Sequence, residues 1–202
     1  MKSRGLIITL AVIGAIVLFV VGILMWGVGI YNSLVGLDES VASTWSQVET
    51  QYQRRADLIP NLVSTVKGFA AQEKAVLLGV TEARARVGQL NVTKDVVDDP
   101  QAFAKFQAVQ DEFSAAISRL LVVAENYPTL KSNENFLSLQ TQLEGTENRI
   151  AVARRNYNEV VQDYNTTVRR FPASFIASFA GFLEKQYFKA REGAETVPEV
   201  TF

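Results

Sequence analysis

The clearest pattern in the chain is an alternating spacing of three and four residues between apolar positions, which runs from Leu34 to Val87. It lasts for about seven heptads, longer than one helix of an ordinary globular protein maintains it. Such spacing places a narrow apolar stripe along one side of a helix, and the stripe requires partner helices along its length. We therefore predict a helix of coiled-coil type over residues 31–88, which Pro60 kinks without ending because the stripe keeps its phase on both sides.

Shorter stripes of the same kind predict further helices over about residues 99–126, 133–171 and 173–190. Asp99 and Asn133 are suited to cap the first two of these helices, and Pro172 separates the last two. No segment shows the alternation typical of a strand, and short loops favour antiparallel neighbours. The sequence thus predicts an all-α fold, an antiparallel four-helix bundle within residues 31–193, followed by a flexible tail over residues 194–202.

An almost unbroken apolar run from Leu6 to Ile30 precedes the bundle. At 1.5 Å per residue it is long enough to cross a bilayer core of about 30 Å. A cleaved signal peptide is the alternative, but the run is too long for such a segment and no small-residue cleavage site follows it. We predict a single transmembrane anchor over residues 6–30 that continues into the first helix of the bundle.

The charges on either side of this run predict its orientation. Lys2 and Arg4 precede it, whereas residues 31–50 contain Asp38, Glu39 and Glu49 but no Lys or Arg. Because positive charge is retained in the cytoplasm, residues 1–5 are expected inside and residues 31–193 outside. In a bacterium with two membranes, the protein would lie in the inner membrane with its bundle in the periplasm.

Composition removes several classes of function. The net charge of −1 gives no nucleic-acid footprint, and the absence of Cys and His removes the commonest metal ligands, general base and thiol nucleophile. Glu144 and Glu147 share a helical face, but paired catalytic carboxylates need a cleft, and the surrounding arginines favour charge pairs. Asp95, Asp98 and Asp99 lack EF-hand spacing and fit a solvated loop and a helix cap better than a Ca²⁺ site. We predict no enzymatic activity, catalytic residue, cofactor or metal.

The polar residues Arg55, Glu73 and Thr146 interrupt the apolar stripes, and further charged residues lie around them. These positions allow two interpretations. They could form an ionic site for a ligand or a lipid headgroup, or a charge network between helices that fixes their register. We favour the network, with Arg154 beside Glu73, or Glu147 beside Lys67 or Arg55. The structural polar residues predicted on this basis are Arg55, Glu73, Glu147 and Arg154.

The first predicted helix is about twice as long as the one that follows it. Its 57 or so residues extend about 85 Å, whereas the next helix returns only about 40 Å. The stretch from Tyr31 to Tyr52 would then lack a partner in its own chain, unless the tail or another protein covers it. Because an exposed apolar stripe is unfavourable in water, we predict a homo-oligomer interface formed by Leu34, Leu37, Val41, Trp45, Val48 and Tyr52.

The last predicted helix carries an apolar stripe of Phe171, Phe175, Phe179, Phe182 and Leu183. With the basic residues Lys185, Lys189 and Arg191, this stripe could lie on a membrane surface. We favour core packing, because a four-helix bundle needs a fourth apolar face.

Long segments of the chain closely resemble the LemA family of bacterial membrane-anchored helical proteins. The resemblance covers nearly the whole chain, and its most specific segments are YNSLVGLDESVASTWSQVETQYQRRADLIPNLVSTVKGFAAQE (residues 31–73), LEGTENRIAVARRNYNEVVQDYN (residues 143–165) and FPASFIASFAGF (residues 171–182). The resemblance implies a helical bundle outside the cytoplasm and no catalytic residues. It extends to a magnetosome-membrane protein of magnetic bacteria, which implies membrane shaping, and to neighbours of membrane proteases.

Pattern and resemblance together favour a non-enzymatic scaffold that is anchored in the membrane, self-assembles, and organises or remodels the cell envelope membrane. Its expected partners are the lipid membrane and other copies of the chain, and no nucleic acid. The alternative is an adaptor or regulator of a membrane protease or other envelope machinery, and an enzyme is the remote alternative.

Overall fold

The structure, a computed structural model, describes residues 2–90 and 94–189, with side chains from Leu10 onward except at positions 94 and 95. Within these residues the chain is helical and forms no strand. The helices are α1 (Lys2–Phe69), α2 (Lys74–Gly88), α3 (Pro100–Ala124), α4 (Pro128–Lys131), α5 (Glu134–Arg169) and α6 (Ala173–Ala180), with a 3-10 turn at Lys94–Val97. The predicted tail over residues 194–202 lies outside the described residues.

The described chain divides into two compact units. Unit 1 contains the residues up to Ser40 together with Gln162–Glu184, and unit 2 contains Val41–Val161 together with the described residues from Lys185 onward. Helices α1 and α5 contribute residues to both units.

The helix predicted over residues 31–88 is wrong in one respect, because the structure divides it into α1 and α2 at a turn. Pro60 lies inside α1 as predicted, and the turn comes later, where the Glu73 N–H donates to the Ala70 carbonyl at 3.1 Å. After the turn α2 packs back on α1, so that Arg84 Nε donates to the Ala56 carbonyl at 2.9 Å. Both helices contribute residues to the same core, and the apolar spacing continues through the turn. The spacing therefore gave no sign that the helix is interrupted.

In unit 2, α3 and α5 both contact α1 at two levels. The Trp45 ring meets Phe103 and Phe106 of α3 and Tyr157 of α5. Ten residues further along α1, Arg55 reaches α3 at Gln110 and α5 at Glu147. As residue numbers increase along α1, the residue numbers of its contacts therefore increase in α3 and decrease in α5.

These contacts contradict the expectation that residues 31–52 have no partner in their own chain. Leu34, Val41 and Val48 are at most 1% exposed. Trp45 and Tyr52 are also buried, and Leu37 is half-buried. The length comparison failed because α2, and not α3, packs back on α1, and this changes where α3 and α5 meet α1. The oligomer interface predicted for these residues thus rested on a wrong premise, since they form the core of a single chain.

Side-chain caps begin α3 and α5 at the residues that the sequence indicated. Asp99 Oδ1 accepts a hydrogen bond from the Gln101 N–H at 2.8 Å, and Asn133 Oδ1 accepts one from the Phe136 N–H at 3.1 Å. Each cap satisfies a backbone donor that has no partner within its helix.

The last predicted helix, over residues 173–190, is shorter than expected. It ends at Ala180, because Gly181 follows with a φ of +79°, a left-handed conformation that favours glycine and terminates helices. Residues 182–189 form no regular secondary structure. In unit 2 we call Lys185–Lys189 the strap; its backbone is bound by Asn158, which donates to the Phe188 carbonyl and accepts from the Phe188 N–H, each at 2.9 Å.

Candidate functional site

A buried arginine connects three helices of unit 2. Arg55 on α1 is 2% exposed. Its Nη2 donates to Gln110 Oε1 at 2.7 Å, and its Nη1 donates to Ser114 Oγ at 2.8 Å and to Glu147 Oε2 at 3.1 Å. The guanidinium also lies 5.0 Å from the centroid of the Tyr52 ring. We call Arg55, Gln110, Ser114 and Glu147 the polar node.

The polar node has the properties of a structural charge network. A buried guanidinium loses its hydration, and the loss is offset only when its donors are bound by good acceptors. Both terminal nitrogens of Arg55 are bound within the chain, and the carboxylate of Glu147, whose side chain is 55% exposed, supplies the opposite charge. An external anion would have to displace Glu147, so the arrangement favours fixed register between α1, α3 and α5 over ligand binding.

The structure brings together one of the predicted charge pairs and separates another. Arg55 and Glu147 are joined, whereas Arg154 and Glu73 have different partners. Arg154 lies over the Phe188 ring at 4.6 Å and donates to the Lys189 carbonyl at 3.1 Å. Glu73 accepts a hydrogen bond from the Tyr127 hydroxyl at 2.8 Å, and this bond raises the pKa of Tyr127. The predicted pair of Arg154 and Glu73 is wrong for the same reason as the length comparison, because α5 runs in the other direction.

The strap closes an aromatic cluster that sequence reasoning missed. The Phe188 ring lies 5.0 Å from that of Phe103, 5.4 Å from Tyr157 and 6.0 Å from Trp45, measured between centroids. The Tyr157 hydroxyl donates to the Gln186 carbonyl at 3.0 Å, and burial raises the pKa of Tyr157. An extended segment has no periodicity, so no sequence signal pointed to this contact.

The acidic residues near α3 have structural partners. Asp98 Oδ1 accepts from Lys185 Nζ at 2.5 Å, and Asp99 caps α3. Among the residues whose side chains the structure describes, no group of three or more acidic residues is arranged to hold a metal ion.

Phe175 and Phe179 of α6, and Phe171 just before it, are on the surface of unit 1, so the prediction that the phenylalanines pack in the core is wrong for these three. Phe182 is half-buried. Phe171 is 74% exposed, Phe175 71% and Phe179 96%. The small residues between them, Ala173 and Ala177, are buried instead. Helical geometry explains the difference, because residues four apart share a face and the two sets differ in position by two. We call Phe171, Phe175, Phe179 and Leu183 the phenylalanine face.

The inner side of α6 packs against α1 within unit 1. A Cβ placed on Gly27 would lie 3.8 Å from Ile176 Cδ1. Just beyond α6, the Phe182 ring lies 5.8 Å from the Tyr31 ring in an edge-to-face arrangement. The phenylalanine face therefore lies beside the end of the apolar run of α1.

Helix α1 is the one helix in the described part of the chain that is long and apolar enough to cross a membrane. Its most apolar window has a mean hydropathy of 2.7, and none of that window is buried. The fold and this helix thus define a helical protein with one candidate membrane span near its N-terminus.

The chain belongs to the LemA family, whose family model matches residues 44–202. It is similar to two magnetosome proteins MamQ of Paramagnetospirillum magneticum, each 26% identical over 96% of this chain and 76% of the relative. A magnetosome protein MamQ of Magnetospirillum gryphiswaldense is 26% identical over 82% of this chain and 67% of its own length. The protein LemA of Metamycoplasma hominis is 21% identical, covering 82% of this chain and 71% of that protein.

Proposed function

We propose that this protein is a non-enzymatic scaffold that is anchored in a membrane, self-assembles, and organises or remodels that membrane. Residues 6–30 span the cell inner membrane, residues 1–5 lie in the cytoplasm, and the domain that follows lies outside it, in the periplasm where a second membrane exists. The asymmetric flanking charge, with Lys2 and Arg4 on one side only, supports this orientation.

The continuity of α1 is the observation that carries the proposal. One helix from Lys2 to Phe69 contains both the exposed apolar run and residues buried in the packed helices, and no loop separates the two parts. A membrane span that continues into the following helical turns without a linker suits a protein that acts at the membrane surface. The relatives named as magnetosome proteins are consistent with this role.

The packing that we propose for the domain is a four-helix bundle of α1, α2, α3 and α5, with α2 and α5 antiparallel to α1. Contacts at two levels of α1, near Trp45 and near Arg55, support this arrangement. The core residues shared by α1, α2, α3 and α5 support it further.

The described charged groups support a role without catalysis. The buried Arg55 and Lys185 are bound to Glu147 and Asp98, so neither presents an unoccupied charge to a substrate. The whole chain also contains no Cys or His.

Self-assembly is tested by purifying the full chain in a mild detergent and imaging it by electron microscopy. We expect particles of several copies, closed into a ring or cage. Uniform monomers at micromolar concentration would contradict the proposed scaffold.

A second candidate function, an adaptor for a membrane protease, is favoured by a groove of about 410 Å³ between α1 and α5 in unit 2. Its largely apolar lining includes the amide side chains of Gln47, Gln51, Asn148 and Asn156, and Gln51 Oε1 is buried there without a hydrogen-bond partner. Such a lining suits the backbone of an extended peptide. A photo-crosslinking residue at Asn156, in the groove, should capture a protease subunit, whereas one at the exposed Thr141 of the same helix should not.

A further inference from the structure

We infer that the phenylalanine face of α6 is inserted in the lipid leaflet on the side of the helical domain, as a second membrane contact beside the span. This inference rests on the proposed anchoring of α1. It goes beyond that proposal because it adds a lipid-binding surface outside α1.

The position of α6 fixes the depth of this surface. Ile176 packs at Gly27 and Phe182 meets Tyr31, and these two α1 residues bracket the end of the apolar run at Ile30. If residues 6–30 cross the bilayer, α6 therefore lies at the boundary between hydrocarbon and headgroups. Its eight residues extend about 12 Å, which fits within one leaflet and is far too short to cross the membrane.

The phenylalanine face is so exposed that contact with a partner or with lipid, which removes it from water, would be favourable. Phe179 is 96% exposed and Phe175 is 71% exposed, on a helix whose inner side already has its protein contacts. Aromatic side chains gain most from leaving water, and contiguous exposed apolar patches mark interaction or membrane sites.

Lipid is the occupant that the surroundings favour. Exposed apolar residues of α1 continue through the same level, among them Leu24, Met25 and Val28. Acyl chains that cover these residues reach α6 without a gap. A second copy of the chain would have to displace lipid from both helices.

The nearby charges fit anionic headgroups. Arg169 and Arg170 are both exposed and come directly before Phe171, while Glu184 follows Leu183. Two cations against one anion at the edge of an apolar face are typical of helices that lie in the membrane interface.

The natural chain contains no Cys, so single labelling sites can be introduced in the full-length protein. We propose nitroxide labels at Phe179→Cys, at Phe19→Cys in the apolar run, and at Ser118→Cys on the exposed side of α3, each reconstituted in vesicles of phosphatidylethanolamine and phosphatidylglycerol. Collision with oxygen, which concentrates in lipid, is compared with collision with a water-soluble nickel chelate. Because these three positions are exposed, we expect all three variants to keep the circular dichroism of the natural chain.

We expect the ratio of oxygen to nickel collisions at Phe179→Cys to be several-fold higher than at Ser118→Cys and to approach that at Phe19→Cys. A ratio at Phe179→Cys equal to that at Ser118→Cys, with Phe19→Cys still in lipid, would overturn the inference and leave the anchor intact. A low ratio at Phe19→Cys would overturn the anchoring itself. Spin–spin broadening at Phe179→Cys that grows with protein density would also overturn the inference, because it would place a second copy on this face.

Discussion

At the scale of single residues, the buried charged side chains of unit 2 are bound to partners elsewhere in the chain. Arg55 illustrates the principle, since its donors reach α3 through Gln110 and Ser114 and α5 through Glu147. A buried guanidinium with these acceptors specifies one alignment of three helices, whereas apolar residues alone would tolerate several.

We predict that Arg55→Ala lowers the free energy of unfolding by about 2–4 kcal/mol, because it leaves a cavity and buried acceptors without a donor. Arg55→Met, which keeps the volume, should cost less. The matched control is Arg86→Ala, since Arg86 forms a surface pair with Glu112 at 2.8 Å with both side chains about half exposed. That control should cost less than about 1 kcal/mol. Chemical denaturation of each full-length variant in detergent measures these differences, and equal losses for Arg55→Ala and Arg86→Ala would contradict the structural role.

A second residue-scale prediction concerns alkaline pH. Burial raises the pKa of Tyr52 and Tyr157 above the ordinary value of 10.0, so the folded state holds these protons more tightly than the unfolded state does. Their contribution to stability is complete below pH 10.0 and declines above it, as the tyrosines of the unfolded chain ionise first. Denaturation between about pH 9 and 11 should therefore show that the free energy of unfolding falls as the pH rises, and the fall should be shallower in Tyr157→Phe. An unchanged slope in that variant would contradict the assignment.

At the scale of secondary-structure elements, the strap is held by the buried side chain of Phe188 and by two hydrogen bonds between Asn158 and the Phe188 backbone. Phe188 fills a space between α1, α3 and α5, and Asn158 fixes its backbone. The strap thereby covers the stretch of α1 around Trp45.

Phe188→Ala should lower the free energy of unfolding by about 3–5 kcal/mol and release the strap from unit 2. Hydrogen exchange at the amides of Gln186 and Phe188, which donate to Val97 and Asn158, should accelerate strongly. Leu183→Ala, at a position that is 62% exposed, is the control and should leave this exchange unchanged. Slow exchange in Phe188→Ala would show that the aromatic cluster does not hold the strap.

Much of the order of helices could be predicted from the sequence, because apolar spacing and capping residues such as Asp99 and Asn133 indicate where helices lie. The turn at Ala70–Glu73 could not, since no proline marks it and the stripe runs on through it. Without this turn, the sequence analysis placed α3 and α5 wrongly along α1. The predicted interface and the predicted pair of Arg154 with Glu73 both depended on that placement. The Arg55–Glu147 contact could be predicted because Arg55 interrupts one apolar stripe and Glu147 lies beside Thr146, which interrupts another. Phe188, in contrast, contacts residues at distant positions that no local pattern connects.

At the scale of the whole molecule, the described part of the chain exposes apolar surface at the phenylalanine face and along the apolar run of α1, whereas the stripe from Leu34 to Tyr52 is largely buried within the chain. Both surfaces suit lipid, and we expect the membrane to be the protein's principal partner.

The double variant Phe175→Ser with Phe179→Ser should remain folded, because both positions are exposed, with unfolding free energy changed by less than about 0.5 kcal/mol. In vesicles it should deform the bilayer less than the natural chain does at equal protein density, because the wedge in one leaflet is lost. The control is Val122→Ser in α3, where Val122 is 62% exposed. Equal deformation by all three proteins would contradict a role for the phenylalanine face.

The most direct test of the proposed scaffold is cryo-electron tomography of the full-length protein reconstituted in vesicles of phosphatidylethanolamine and phosphatidylglycerol. We predict ordered assemblies of several copies on the membrane, with bilayer curvature beneath them that differs from that of empty vesicles. Isolated single copies on vesicles whose shape matches that of empty ones would contradict the account.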